Sequence, residues 1–258
     1  MAKLFQDNNG FGIMNSRRKD ASSWKGGVGL SKEKSIQSEI SGFISTVLRK
    51  HFGKGPSGVF VTVNYPFIAI QIRGFLAPME RLQIKQQEMK RVLETRNLMM
   101  AELKPEIIEG LREVAQLEVN ELYADWNLEQ ETGLIVGVME EEPKEEMIPW
   151  PDEINKEAFE RRVNEASYRA EKFPESTDLF WLSDRMILVR RIGILVQIEK
   201  ELIKNGYMEE LKLSKRPLEQ RLMKEAGLEE VLRQPISAIF LDWNFQTDLG
   251  YVVFVLER

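Results

Sequence analysis

A tripeptide that returns constrains this chain more than any other feature. Asp125-Trp126-Asn127 recurs as Asp242-Trp243-Asn244, 117 positions on. At the same offset Gly133, Val136, Val138 and Glu140 meet Gly250, Val253, Val255 and Glu257, and Leu122-Tyr123 meets Ile239-Phe240. A rare tripeptide with a matched strand pattern behind it marks an internal repeat. The expectation is two copies of one domain, each closing with the same hairpin. Asp125, Trp126, Asn127 and their counterparts Asp242, Trp243, Asn244 are read as structural residues of those hairpins.

The elements of the first copy follow from periodicity. Ile36, Ile40, Phe43, Ile44, Val47 and Leu48 fall at helical spacing behind Ser31, and Gly53 ends the helix. Val59, Val61 and Val63 alternate with Phe60, Thr62 and Asn64, and Ile68, Ile70 and Ile72 alternate with Ala69, Gln71 and Arg73, as in a hairpin with one buried face. Pro78 opens a long helix to about Leu103, and Pro105 opens a shorter one. The final hairpin spans about 117–126 and 133–140. The second copy repeats this plan, with helices at about 197–212 and 217–232. The order predicts an α+β fold: two repeated domains, each a mainly antiparallel four-stranded sheet with helices on one face.

Four segments result: a flexible tail over 1–31, a first domain over 32–140, an acidic proline-rich linker over 141–155, and a second, degenerate domain over 156–258. The tail places Phe5, Phe11 and Trp24 among basic residues, which suits either a disordered extension or a tether. Trp150 in the linker is expected to fold back onto a domain.

Composition removes several function classes. With no cysteine there is no disulfide, thiolate nucleophile or thiolate metal site. A net charge of -5 argues against a general nucleic-acid binder. No apolar run reaches the length of a membrane span, and no secretory signal is present, so a cytoplasmic location is expected. His51 is the only histidine and reads as a helix-end or surface residue. No nucleophile–base set and no carboxylate pair can be assembled. No catalytic residue, metal site or cofactor is therefore assigned, and the balance leans away from an enzyme.

The ligand candidates are basic. Lys54 and Gly55 lie in Gly53-Lys54-Gly55-Pro56-Ser57-Gly58, which is either a helix stop with strand entry or an anion nest. The loop follows a helix C-terminus, where the dipole disfavours anions. Arg73 closes the Val/Ile hairpin. Arg96 sits on the apolar stripe of the long helix and needs a partner. Asp125 is the expected one, and a ligand-facing arginine is the alternative. Arg81, Lys85, Lys90 and Arg91 read as a solvated basic face.

His51-Phe-Gly-Lys-Gly-Pro56, the Val/Ile hairpin, Gly74-Phe-Leu-Ala-Pro-Met-Glu80, Arg96 and the closing hairpin together resemble the bacterial MpsC-like domain. That domain is named for a sodium-translocating, membrane-potential-generating system. The resemblance covers about 33–140 and extends through the repeat to 157–258. It implies an accessory protein beside a membrane ion or bicarbonate uptake system, with a protein partner and no direct membrane span. Self-association stays open. The family's Leu-Thr-Pro-x-Glu motif reads Leu76-Ala77-Pro78-Met79-Glu80, without the threonine. The second copy lacks the glycine loop, the proline and any evident counterpart of Arg96. Two readings stand: a non-enzymatic accessory or regulatory protein, and a small-anion-binding protein or enzyme using the Gly53–Gly58 loop.

Overall fold

The structure is a computed structural model that describes residues 26–140 and 148–257, with only the backbone given for 26–34. The aromatic residues of the expected tail and the acidic run of the linker lie outside the described residues. The described residues from 36 onward form one compact unit, which holds both repeats.

The first repeat runs α1 (Gly26–Phe52), β1 (Gly58–Asn64), β2 (Phe67–Arg73), α2 (Pro78–Lys85), α3 (Met89–Ala115), β3 (Val119–Asn127) and β4 (Thr132–Met139). The second runs α4 (Lys156–Ala170), β5 (Ser176–Ser183), β6 (Met186–Ile192), α5 (Gln197–Lys204), α6 (Met208–Glu225), α7 (Leu228–Leu232), β7 (Ile236–Asn244) and β8 (Leu249–Leu256). Helix α1 begins inside the segment read as a tail. Both sheets are fully antiparallel, with the equivalent orders β1-β2-β4-β3 and β5-β6-β8-β7. The fold is α+β with two repeated units, as the sequence implies.

Local chemistry accounts for the boundaries. Gly53 adopts φ +73°, the left-handed conformation that ends α1. The helix expected from Pro78 to Leu103 is two helices. Gln87 takes φ 64°, and the chain turns there before α3 restarts at Met89. Conversely, Pro105 lies inside α3 and does not start a helix. It removes one rung of the backbone ladder, but Leu103 and Ile107 beside it are buried and their packing carries the helix through. Pro217 is likewise inside α6. Where α1 and α3 cross, Gly110 permits the contact: a Cβ there would meet the Phe43 ring at 2.0 Å.

Three apolar layers hold the unit together. Ile40, Ile44, Ile68, Ile70, Ile72, Ile107 and Leu111 pack the helices against the first sheet. Phe159, Val163, Ile187, Val189, Val252 and Phe254 do the same in the second. The third layer lies between the sheets, where Phe67, Tyr123, Val136, Phe180, Leu188, Phe240, Tyr251 and Val253 meet. The reading of one buried face is thus corrected: each sheet is covered by helices on one side and by the other sheet on the other. Phe67 meets Phe180 at 4.8 Å and Tyr123 meets Tyr251 at 4.5 Å between ring centroids. Each fully buried side chain of this size contributes about 1.5–3 kcal/mol. Trp150 packs on Trp181 at 5.1 Å and donates its indole N–H to Ile154 O at 2.8 Å.

Candidate functional site

The basic residues singled out as ligand candidates do not meet in one place. Lys54 donates Nζ to Leu76 O at 3.0 Å. Gly55 lies against the Arg49 side chain. Arg73 stands at the exposed end of β2, its guanidinium 5.0 Å from the Phe60 ring. It borders an open cleft of about 620 Å³ between the repeats, opposite Asp184, Arg185 and Glu257. Arg96 is buried elsewhere, at 1% exposure. Lys54 and Arg96 share only an attachment to the Leu76–Glu80 segment.

Arg96 shows how that segment is fixed. Its Nη2 bonds Glu80 Oε2 at 2.8 Å, and the rings of Phe75, Phe52 and Trp126 surround its guanidinium at 4.0, 4.5 and 4.6 Å. The same Glu80 oxygen accepts the backbone N–H of Ala77 at 2.8 Å, so one carboxylate both caps α2 and pairs the arginine. Burial pulls the Arg96 pKa below the ordinary guanidinium value, and the hydrogen bond and charge of Glu80 pull it back in part. The expected partner, Asp125, is therefore wrong. Arg96 projects to the helix face of the sheet, whereas Asp125 belongs to the opposite face.

Asp125 and Asp242 instead join the repeats. Ala124 N–H donates to Asp242 Oδ2 at 3.0 Å, and Leu241 N–H donates to Asp125 Oδ2 at 2.8 Å. The two bonds are equivalent under exchange of the repeats, as expected of an isologous, twofold-like contact. Each aspartate also accepts the N–H of the following tryptophan through Oδ1, at 2.8 and 2.9 Å. The counter-ions differ: Arg216 Nε lies 2.7 Å from Asp125, and Lys212 Nζ lies 2.9 Å from Asp242. Burial pushes Asp125 up, with Arg216 and the two amides opposing. Asp242 is equally buried, yet Lys212, Arg216 and Lys104 outweigh that desolvation and hold it below its usual value. Asn127 and Asn244 serve the turns, accepting the N–H groups of Gln130 at 2.9 Å and Gln246 at 3.1 Å. Trp126 closes the Arg96 cage, and Trp243 donates Nε1–H to Glu219 at 3.1 Å.

The remaining candidates are ordinary surface groups. His51 Nε2 and Lys50 Nζ both reach Glu106 at 2.9 Å, tying α1 to α3. Arg81 pairs with Glu131 at 2.6 Å. Among the described residues, no group of three or more acidic or histidine side chains is arranged to hold a metal ion. No helix among them is long and apolar enough to cross a membrane.

The family model for MpsC, described as "Na+-translocating membrane potential-generating system (MpsC)", matches residues 32–141 and 166–258. The chain belongs to the MpsC family. No curated protein and no solved structure matches it.

Comparison of the two MpsC repeats reveals residues that the sequence reading missed. Along the helices and the first hairpin's second strand the copies are offset by 119 positions, not 117. Buried Ile40, Ile44 and Val47 then meet buried Phe159, Val163 and Ala166, in the same frame in which the sequence already pairs Gly74, Leu76 and Glu80 with Gly193, Leu195 and Glu199. Arg96 does have a counterpart, Lys215, whose Nζ lies 2.9 Å from Glu199. Glu199 caps its helix through Val196 N–H at 3.0 Å, as Glu80 does. The aromatic cage is not retained. At the positions of Leu48, Phe52, Ile72 and Met100 the second repeat places Ser167, Glu171, Arg191 and Glu219. An apolar pocket around one arginine has become a buried cluster of five charged side chains.

Proposed function

We propose that this chain is a non-enzymatic accessory protein of the cytoplasm that binds a protein component of a membrane ion-transport system. The carrying observation is the family match, which spans both repeats. Geometry adds support. Two of the three cations that the sequence offered as ligand groups are engaged internally, Lys54 by a carbonyl and Arg96 by Glu80. The described residues offer an exposed surface in α2, a helix with no buried residue and with Met79 and Leu82 turned outward, beside the half-exposed loop at 53–58. Apolar groups interleaved with Arg81 and Lys85 suit a protein surface of mixed character. The basic segment 81–91 is not one helix, so the face on offer is α2 with the start of α3. A small-molecule role has one observation in its favour, the cleft beside Arg73.

The reading further assigns the transported species to sodium or bicarbonate. The test is a deletion strain in which sodium-dependent membrane potential is followed with a voltage-sensitive dye, in air and in raised carbon dioxide. A loss of potential restored by the wild-type chain is expected, with any growth defect in air relieved by carbon dioxide. An unchanged potential would refute the proposal.

A further inference from the structure

The second repeat seals five charged groups away from water. Arg191 of β6 is fully buried, and its Nη2 lies 2.5 Å from Glu219 of α6. Its Nη1 donates to Ser167 of α4 at 2.8 Å. Lys215 of α6 places Nζ 2.9 Å from Glu199 of α5, 3.4 Å from Glu219, and against Glu171 at the end of α4. From β7, Trp243 donates to Glu219. Just outside, Lys172 and Glu175 pair with each other at the surface, 3.5 Å apart.

The charges do not balance. Two cations face three carboxylates, and an uncompensated buried charge is strongly unfavourable. Glu171 is the odd member. Its side chain is 3% exposed; Lys215 lies against Oε1, and Oε2 has no hydrogen-bond donor. Its other neighbour is the carboxyl of Glu219, which the same Lys215 Nζ reaches at 3.4 Å, and two carboxyls hydrogen-bond to each other only when one carries a proton.

We propose that the second repeat is a proton-binding site, in which one proton is held between Glu171 and Glu219 and neutralises the sealed cluster. The acid is Glu171: burial, then the Glu219 charge, raise it to about 9 against the opposing pull of Lys215. Glu219 stays ionised, since Arg191 and Lys215 outweigh its own desolvation. Release of the proton leaves a net negative charge beneath Trp243, whose neighbour Asp242 joins the two repeats. The site goes beyond the accessory role and does not depend on it.

The test is infrared titration of the full chain carrying carbon-13 glutamate, which leaves the Asp125 carboxyl outside the labelled signal. A labelled carboxylic-acid C=O band is expected at neutral pH, disappearing with a midpoint near 9 and absent in Glu171→Gln. Glutamine mimics the neutral acid, so this variant should also show a shallower decline in stability from about 4.5 to about 9, the window in which only the folded state holds the Glu171 proton, with the Asp125 part of the decline left in place. If Glu171→Gln fails to fold, the wild-type titration decides alone. Absence of a labelled acid band at neutral pH, or its persistence in Glu171→Gln, would overturn the proposal.

Discussion

Removing Glu80 should expose what the Arg96 cage is worth. Glu80→Ala leaves a guanidinium at 1% exposure with three aromatic rings and no carboxylate. Breaking one side of a buried ion pair costs about 3–5 kcal/mol. Glu80 itself is 15% exposed, so water can approach the orphaned arginine, and the ring contacts survive at about 0.5–2 kcal/mol each. Those two facts place the pair loss near the lower limit. The lost acceptor for Ala77 N–H adds about 1 kcal/mol. The expected total is about 3–4 kcal/mol. Arg96→Leu is milder, about 1–2 kcal/mol, because an apolar side chain fills an apolar cage and Glu80 keeps its capping role near solvent. The double variant should then cost about 2–3 kcal/mol, a coupling energy of about 2 kcal/mol. Urea unfolding followed by tryptophan fluorescence measures all four chains, with unchanged m-values as the condition for comparison. Costs that add to within about 0.5 kcal/mol would show that the pair carries no coupling, and the cage argument would fail.

The seam between the repeats gives the remaining expectations. Asp242→Ala strips Lys212 of its counter-ion and leaves Ala124 N–H without its acceptor, and should cost about 3–5 kcal/mol in the same unfolding assay. Its pH dependence has a definite sign. The Asp242 carboxylate is held below its ordinary value, so its contribution is present above the unfolded pKa near 3.8 and is lost as pH falls through the lower folded one. Midpoints measured down into the acid range should therefore fall more steeply for wild type than for Asp242→Ala; parallel curves would contradict the assignment. Asp125 runs the other way, since burial raises it.

Much of this architecture can be read from residues that behave alike in both copies. The recurrence of Asp125-Trp126-Asn127 at Asp242 announces the repeat, and the alternation around Ile68–Ile72 gives the first hairpin. Gly53 reads as a stop because only its left-handed conformation is wanted there. The second face of each sheet is harder to see. Phe67 and Ala69 look solvent-facing in an isolated hairpin, and only the partner sheet buries them. A near-continuous apolar run such as Tyr251-Val252-Val253-Phe254-Val255 is the available signal for burial on both faces. The buried charge cluster escapes for a different reason. At the hairpin offset of 117 Arg96 meets Leu213, and only the helix offset of 119 brings it to Lys215. Glu171, Arg191 and Glu219 then look like ordinary surface charges, because nothing local shows that three elements bring them together. Arg96 was recognisable as buried from its place on an apolar stripe, but its partner was not, since Glu80 belongs to a separate helix.

The most direct measurement of the central claim is co-isolation from cells. The chain, tagged and crosslinked in vivo, should be recovered from the membrane fraction with an ion-transport protein in a fixed ratio. Substitution of Met79 and Leu82 by charged residues should abolish that recovery while leaving the urea midpoint unchanged. Recovery of the chain alone from the soluble fraction, or turnover of a substrate by the purified protein, would contradict the account.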